Sequence, residues 1–171
     1  MLRPPRPRGP RPWRPRAIRC FDASAEGGGG LKLKGDSRAT NAGVVLAYYS
    51  ALNKGDVDAA VAFWAKPLRD EQRRRLETMR LAFPDYAVHV ADAVGQRDRV
   101  VVRQVEKGTH LGDPQSELAG GLLNGVVPSG KRMEIQVIHV YRVTGGWIAE
   151  HWESRNDLEM LRQQGLIETR G

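Results

Sequence analysis

A chain of 171 residues, 40% of them hydrophobic, is one domain's worth and long enough to bury a core. The formal charge of +7 is unevenly placed: Arg3, Arg6, Arg8, Arg11, Arg14, Arg16 and Arg19 crowd an acid-free start, and without them basic residues equal the 20 acidic ones. A neutral body lacks the charge excess that phosphate neutralisation needs, so nucleic acid is excluded as the expected partner.

The single cysteine, Cys20, excludes an intramolecular disulfide and a cysteine-based zinc site. No apolar run approaches the ~20 residues that span a bilayer, so no membrane is expected either. Residues 1–20 form an Arg/Pro-rich leader, with prolines at 4, 5, 7, 10, 12 and 15 that forbid a regular helix. An arginine-rich, acid-free leader suits a transit peptide, and Ile18-Arg19-Cys20 resembles the end of a plastid one. That reading places the protein in a plastid or mitochondrion. The competing reading, a mis-assigned start codon in a GC-rich gene, leaves it cytoplasmic. Residues 21–36, with Gly27-Gly28-Gly29-Gly30, read as a flexible linker, and residues 37–171 as the folded domain.

Thr40 or Asn41 can cap a helix over Ala42 to Asn53, whose apolar stripe is Val44, Val45, Leu46, Tyr48, Tyr49 and Leu52. Gly55 ends it, and Asp56 caps a second helix to Trp64. Pro67 starts a third helix to about Ala82, on which Arg73-Arg74-Arg75 reads as a solvated face. Pro84-Asp85 turns the chain into four strand-like runs: Tyr86 to Val94, Arg99 to Thr109, Met133 to Val143 and Trp147 to Glu153. Gly95-Gln96-Arg97-Asp98 and Gly145-Gly146 are the hairpin turns, and Leu111 to Arg132 is a long loop. A short helix follows the last strand. Helices followed by antiparallel strands predict an α+β domain with the helices on one sheet face.

The segments "NKGD", "FPDYAVHVADAVGQRDRVVVRQVEKGTHLG", "PSGKRMEIQVIHVYRVTGGWIAEHWES" and "LRQQG" resemble the SnoaL-like polyketide (ester) cyclases of the nuclear transport factor 2-like superfamily. The resemblance covers about residues 41 to 166. Its most specific parts are Gly108-Thr109-His110, Glu150-His151-Trp152 and Gln163-Gln164-Gly165. It implies a cone-shaped curved antiparallel sheet with N-terminal helices packed on its concave face. It also implies a cofactor-free, metal-free cyclase that closes a ring by aldol chemistry, using an acidic residue in an apolar cavity.

Strand periodicity suggests which side chains reach that cavity. Met133, Ile135, Val137, His139, Tyr141 and Val143 form one apolar face. On the returning strand strict alternation puts Ile148, Glu150 and Trp152 together, and His151, Glu153 and Arg155 on the other, more polar face. The expected set is Glu150 as base, His139 as partner or oxyanion donor, Tyr141 as second donor and Trp152 as a flat wall for substrate. His110, at the edge of the long loop, is a further candidate facing the cavity mouth. Each has a blander alternative: an ion pair with an arginine for Glu150, core packing for Trp152, a core hydrogen bond for His139, a loop-ordering one for His110. His89 and Glu106 show no signal beyond a strand's polar positions.

Two features depart from the family pattern. Where the family carries Asp, four residues past the tryptophan, this chain has Asn156, which can hold an oxyanion but cannot act as a base. Asp157 lies one place later, where only a register shift would bring it in, and Glu153 directly follows Trp152. The run from Trp64 to Pro84 is also shorter than the resemblance implies. The expected function is therefore a cofactor-free cyclase or isomerase for a lipophilic keto ester or polyketide-like molecule. The alternative is a non-catalytic ligand-binding module, forming a homodimer through an outer sheet face that carries Val140, His151 and Glu153.

Overall fold

The computed structural model describes residues 40–113 and 122–168. The leader, the linker and the start of the domain lie outside the described residues, as does the centre of the long loop.

Helix α1 (Asn41–Asn53) starts where Thr40 Oγ1 accepts the Gly43 amide at 3.1 Å. Its i, i+1, i+4, i+5, i+8 positions, Val44, Val45, Tyr48, Tyr49 and Leu52, are all buried. Burying each of the larger apolar side chains contributes roughly 1.5–3 kcal/mol. Gly55, at φ +78°, turns the chain. Asp56 then caps α2 (Val57–Val61) by accepting from Ala59 N at 2.9 Å. This helix stops short of the expected Trp64 because the chain leaves it to dock on the sheet. There Ile148 N donates to Phe63 O at 2.8 Å and Ala65 N to Ile148 O at 2.9 Å, a parallel bridge that buries Trp64 to 1% exposure. Pro67 sits in a short 3-10 turn (Lys66–Leu68) that leads into α3 (Arg69–Ala82).

The sheet is a four-stranded antiparallel meander, β1 (Ala87–Gln96), β2 (Arg99–Thr109), β3 (Arg132–Thr144) and β4 (Trp147–Arg155), ordered β1-β2-β3-β4. The β1–β2 turn is tighter than expected: Gln96 pairs with Arg99, and Arg97 takes φ 55°. Gly145 and Gly146 both have positive φ, at 59° and 81°, as a two-residue hairpin between right-twisted strands requires. Helix α1 lies across all four strands, and α4 (Asp157–Gln164) packs on β3. The domain is thus the expected α+β layering of helices on a curved, open sheet.

Two side-chain amides occupy strand backbone on the side facing away from β2, where no other strand pairs with it. Asn53 donates to Val88 O at 2.7 Å and accepts from Val88 N at 2.8 Å. Gln163 does the same at Glu134, at 3.0 and 2.8 Å. Each amide mimics a neighbouring strand and blunts an edge. This gives the Gln163-Gln164-Gly165 tail a structural reason, since Gln164 accepts from Ser129 Oγ at 2.5 Å and Gly165 is the left-handed C-cap at φ 77°.

The face assignment of β4 differs from strict alternation. The β3–β4 ladder pairs Thr144 with Trp147 and Val143 with Ile148, then jumps so that Arg142 pairs with Glu150. Ala149 is the extra residue of a β-bulge, and one inserted residue moves every following side chain to the opposite face. His151, Glu153 and Arg155 therefore stand opposite Tyr141, His139 and Val137, on the helix-covered side. Glu150 and Trp152 stand opposite Arg142 and Val140 on the outer side.

Candidate functional site

A cavity opens between α1, α3 and the covered face of the sheet. Its tyrosine wall is Tyr48, Tyr49, Tyr86 and Tyr141, and its polar groups are Gln72, Arg75, Gln104, Glu106, His139, His151 and Arg155. The space open to water-sized occupants is about 40 Å³, room for about three waters at ~10–15 Å³ each.

Each polar group arrives by simple geometry. On β2 the covered face runs Val100, Val102, Gln104, Glu106, all 4% exposed or less, so two polar residues continue a valine stripe into the core. Glu106 Oε1 accepts the Gln104 amide at 2.8 Å and lies 3.5 Å from His139 Nε2. His139 itself is 6% exposed. Its other nitrogen, Nδ1, has no hydrogen-bond partner and lies 4.0 Å from Glu153 Oε2. Thus one imidazole faces a carboxylate at each nitrogen.

Glu153 belongs to an edge strand, yet its side chain is only 27% exposed because Arg75 reaches down from α3 to bind it at 2.5 Å. Burial pushes its carboxyl up. The hydrogen bond from His151 and the charges of Arg75, His139 and Arg155 outweigh that and hold it at about 2. Arg75 is therefore not part of a solvated face, as the arginine run suggested. Arg73 fits that expectation better, pairing with Asp58 and Glu77 on the surface.

Tyr48, Tyr49 and Tyr141 form an aromatic cluster with Trp64, and Tyr49 and Tyr141 share a 2.5 Å hydroxyl–hydroxyl hydrogen bond. Burial holds the hydroxyls of Tyr49, Tyr86 and Tyr141 well above the ordinary phenol range, so they remain donors at any ordinary pH.

Of the expected residues, His139 and Tyr141 line the cavity, and Glu153 borders it through its contacts with Arg75, His139 and His151. Glu150 does not. It lies outside, ion-paired with Arg142 and 3.9 Å from Arg99, the blander role its sequence context allowed. Trp152 is 48% exposed on the same outer face beneath the Arg99 guanidinium, neither wall nor core. Asn156 caps α4, accepting from Glu159 N at 3.2 Å, and Asp157 is bound by Arg155 at 2.6 Å. His110 is fully buried away from the cavity, against Phe83, and its Nδ1 accepts from Ser129 N at 3.3 Å. That is the loop-ordering role, and burial lowers its pKa. Sequence reasoning missed His151, moved inward by the bulge. It also missed Glu106, which the broken valine stripe of β2 did signal.

His139, His151 and Glu153 each offer one possible metal-ligand atom within 4.8 Å of the others. The two rings are stacked at 22°, so their in-plane lone pairs run in nearly parallel planes. The Glu153 oxygen already carries the Arg75 guanidinium. This donor set suits a hydrogen-bonded proton network better than a cation.

Among solved structures, the chain is similar to AclR, a candidate hydroxylase from Streptomyces galilaeus, at 23% identity over 78% of this chain and 86% of that one, TM-score 0.64. It is also similar to IdmH, a candidate polyketide cyclase from Streptomyces antibioticus, at 25% identity over 74% and 99%, TM-score 0.60. A candidate polyketide cyclase from Xanthomonas campestris matches at 24% over 75% and 99%, TM-score 0.57. These likenesses place the fold in the nuclear transport factor 2-like class. None of the curated proteins compared with the chain matches it. Residues 42–164, most of the chain and nearly all of the folded body, match the SnoaL-like polyketide cyclase family, and the protein belongs to that family.

Proposed function

We propose that this protein is a cofactor-free cyclase or isomerase acting by acid/base chemistry on a lipophilic keto ester or related carbon acid. The observation that carries this reading is His139, buried in a tyrosine-walled cavity with a carboxylate at each ring nitrogen. Removing a proton beside a carbonyl requires a base, and the developing enolate oxygen requires donors that are already in place. The cavity supplies carboxylates for the first need and protonated tyrosines for the second. Trp64, Leu52, Leu76 and Met79 add an apolar stretch of wall beside the Gln72 amide, which favours a lipophilic substrate.

The experiment is a thermal melt of the full chain against a panel of lipophilic keto esters. A raised midpoint with at least one member, lost in His139→Ala, is expected. A cooperative melt that no member shifts would sink the reading.

One observation favours a second reading, a non-catalytic dimerising module. The cavity is narrow, while the outer sheet face exposes Val94 (59%), Val101 (39%), Ile138 (47%) and Trp152 (48%). The homodimer face expected from the sequence included His151 and Glu153, which turn inward; only Val140 of that set lies outside. A ligand shift that survives His139→Ala, with no turnover of any panel member, would select this module.

A further inference from the structure

We infer that Glu106 is the base of this cavity and that Glu153 is a positioning residue for His139. The inference rests on the acid/base reading above and assigns its central step to a residue outside the terminal hairpin.

Glu150 is on the outer face with Arg142, and Asp157 is held by Arg155 at the start of α4. Asn156 is an amide and cannot act as a base, and its side chain caps a helix. Glu153 is near enough, but Arg75 sits on its oxygen at 2.5 Å, with His151 3.8 Å from the same atom. A carboxylate pinned by a guanidinium is a weak base and is not free to follow a substrate proton.

Glu106 is the remaining carboxylate, and it forms part of the cavity wall. It is 4% exposed, and its ion-pair partner among the described residues is His139 at 3.5 Å, with no arginine or lysine at that distance. Gln104 fixes Oε1 at 2.8 Å, and Tyr86 shares the cavity wall with the same carboxylate. Polar side chains this deep in a valine-lined strand face are costly to keep unless they serve the cavity they line.

The step balances within the site. The α-carbon–hydrogen bond breaks and its proton passes to a Glu106 oxygen. The released electron pair forms the enolate double bond as the carbonyl π pair moves onto oxygen, which accepts from the Tyr49 or Tyr141 hydroxyl. In a β,γ-unsaturated ketone the enolate is a dienolate, and returning the proton from Glu106 to its γ-carbon, with the double bond shifting to the α,β position, completes an isomerisation. Attack of the enolate carbon on a second carbonyl closes a ring instead, and the new alkoxide takes the proton back from Glu106. His139, held between Glu106 and Glu153, orients the base and carries protons to the rim.

The first half of this step can be read without the natural substrate. The full chain would be incubated in D2O with methyl levulinate, a small keto ester, and exchange of its α-protons followed by proton NMR. Wild type should exceed buffer. A cooperatively melting Glu106→Gln should lose at least a hundredfold of that excess, in line with the ~10²–10⁴ of general-base catalysis. Glu153→Gln should lose several-fold only, and Glu150→Gln nothing. Undiminished exchange in Glu106→Gln overturns the assignment while leaving the acid/base reading intact. No exchange by wild type overturns both. If Glu106→Gln does not melt cooperatively, Glu106→Asp decides: retracting the carboxylate by one methylene should cost at least tenfold, and an unchanged rate overturns the assignment.

Discussion

Glu153 pairs directly with His139 across the β3–β4 ladder, its Oε2 4.0 Å from the otherwise unpartnered Nδ1. Strict alternation along β4 would have put them on opposite faces of the sheet. One extra residue, Ala149, makes the difference, and with it the hairpin brings an imidazole and a carboxylate together within reach of Arg75 on α3.

That relationship has a pH signature. The Glu153 carboxyl is lowered from 4.5 to about 2 in the folded protein. A group with a depressed folded pKa gives stability that is present above its unfolded value and lost as pH falls through the folded one. Wild type should therefore exceed Glu153→Gln in stability at pH 6, and the difference should fade from about pH 4.5 towards 2. With the side chain partly solvated, the amount is on the order of 2 kcal/mol. Paired denaturant melts across that range check it; a gap that does not vary with pH would count against it.

The outward position of Glu150 makes the opposite prediction for the acid that the terminal motif first suggests. Glu150→Gln should leave ligand-induced melting shifts and any turnover at the wild-type level. Its partners Arg142 and Arg99 are partly exposed, so the stability cost should stay within about 1 kcal/mol. A large loss of ligand response in Glu150→Gln would mean that the β4 register differs in solution.

What the sequence revealed and what it concealed both follow from these particulars. Helix starts could be read at Thr40 and Asp56 because capping is a local side-chain-to-backbone bond. The strands and both hairpins could be read from period-two patterning and turn residues, and β3 kept strict alternation, so His139 and Tyr141 were placed correctly. The bulge at Ala149 has no local marker. It arises because Ile148 must meet both Val143 and the Trp64 segment, a contact set by chain some eighty residues earlier. Arg75 was hidden for a related reason: an arginine run on a helix reads the same whether or not one member finds a carboxylate across the cavity.

The Tyr49–Tyr141 hydroxyl pair should show the asymmetry of buried hydrogen bonds. Removing one hydroxyl leaves the other buried and unpaired, which costs ~1–3 kcal/mol. Tyr49→Phe and Tyr141→Phe should each destabilise by that order. The double variant should cost less than the sum, because neither ring then carries an unsatisfied hydroxyl. Strict additivity in a double-mutant cycle would show that the two hydroxyls do not depend on one another. If they are also the enolate donors, either single substitution should reduce methyl levulinate exchange even where it melts normally.

The outer sheet face offers a test of assembly that leaves the cavity untouched. Trp152 and Val101, with the neighbouring Val94 and Ile138, expose apolar surface where the ladder brings Val101, Val140 and Trp152 side by side on adjacent strands. Arg142, Glu150 and Arg99 supply both signs of charge beside it, which suits an isologous contact between two copies of one surface. If two copies pair through this face, sedimentation of the full chain should show a dimer that Val101→Lys converts to monomer. Trp152→Ala should weaken it, because a central aromatic anchor commonly dominates such contacts. Neither change should alter ligand-induced melting shifts, since both side chains lie across the sheet from His139 and Glu106. A wild-type monomer would remove the dimer proposal, and a dimer indifferent to both substitutions would move its interface to another face.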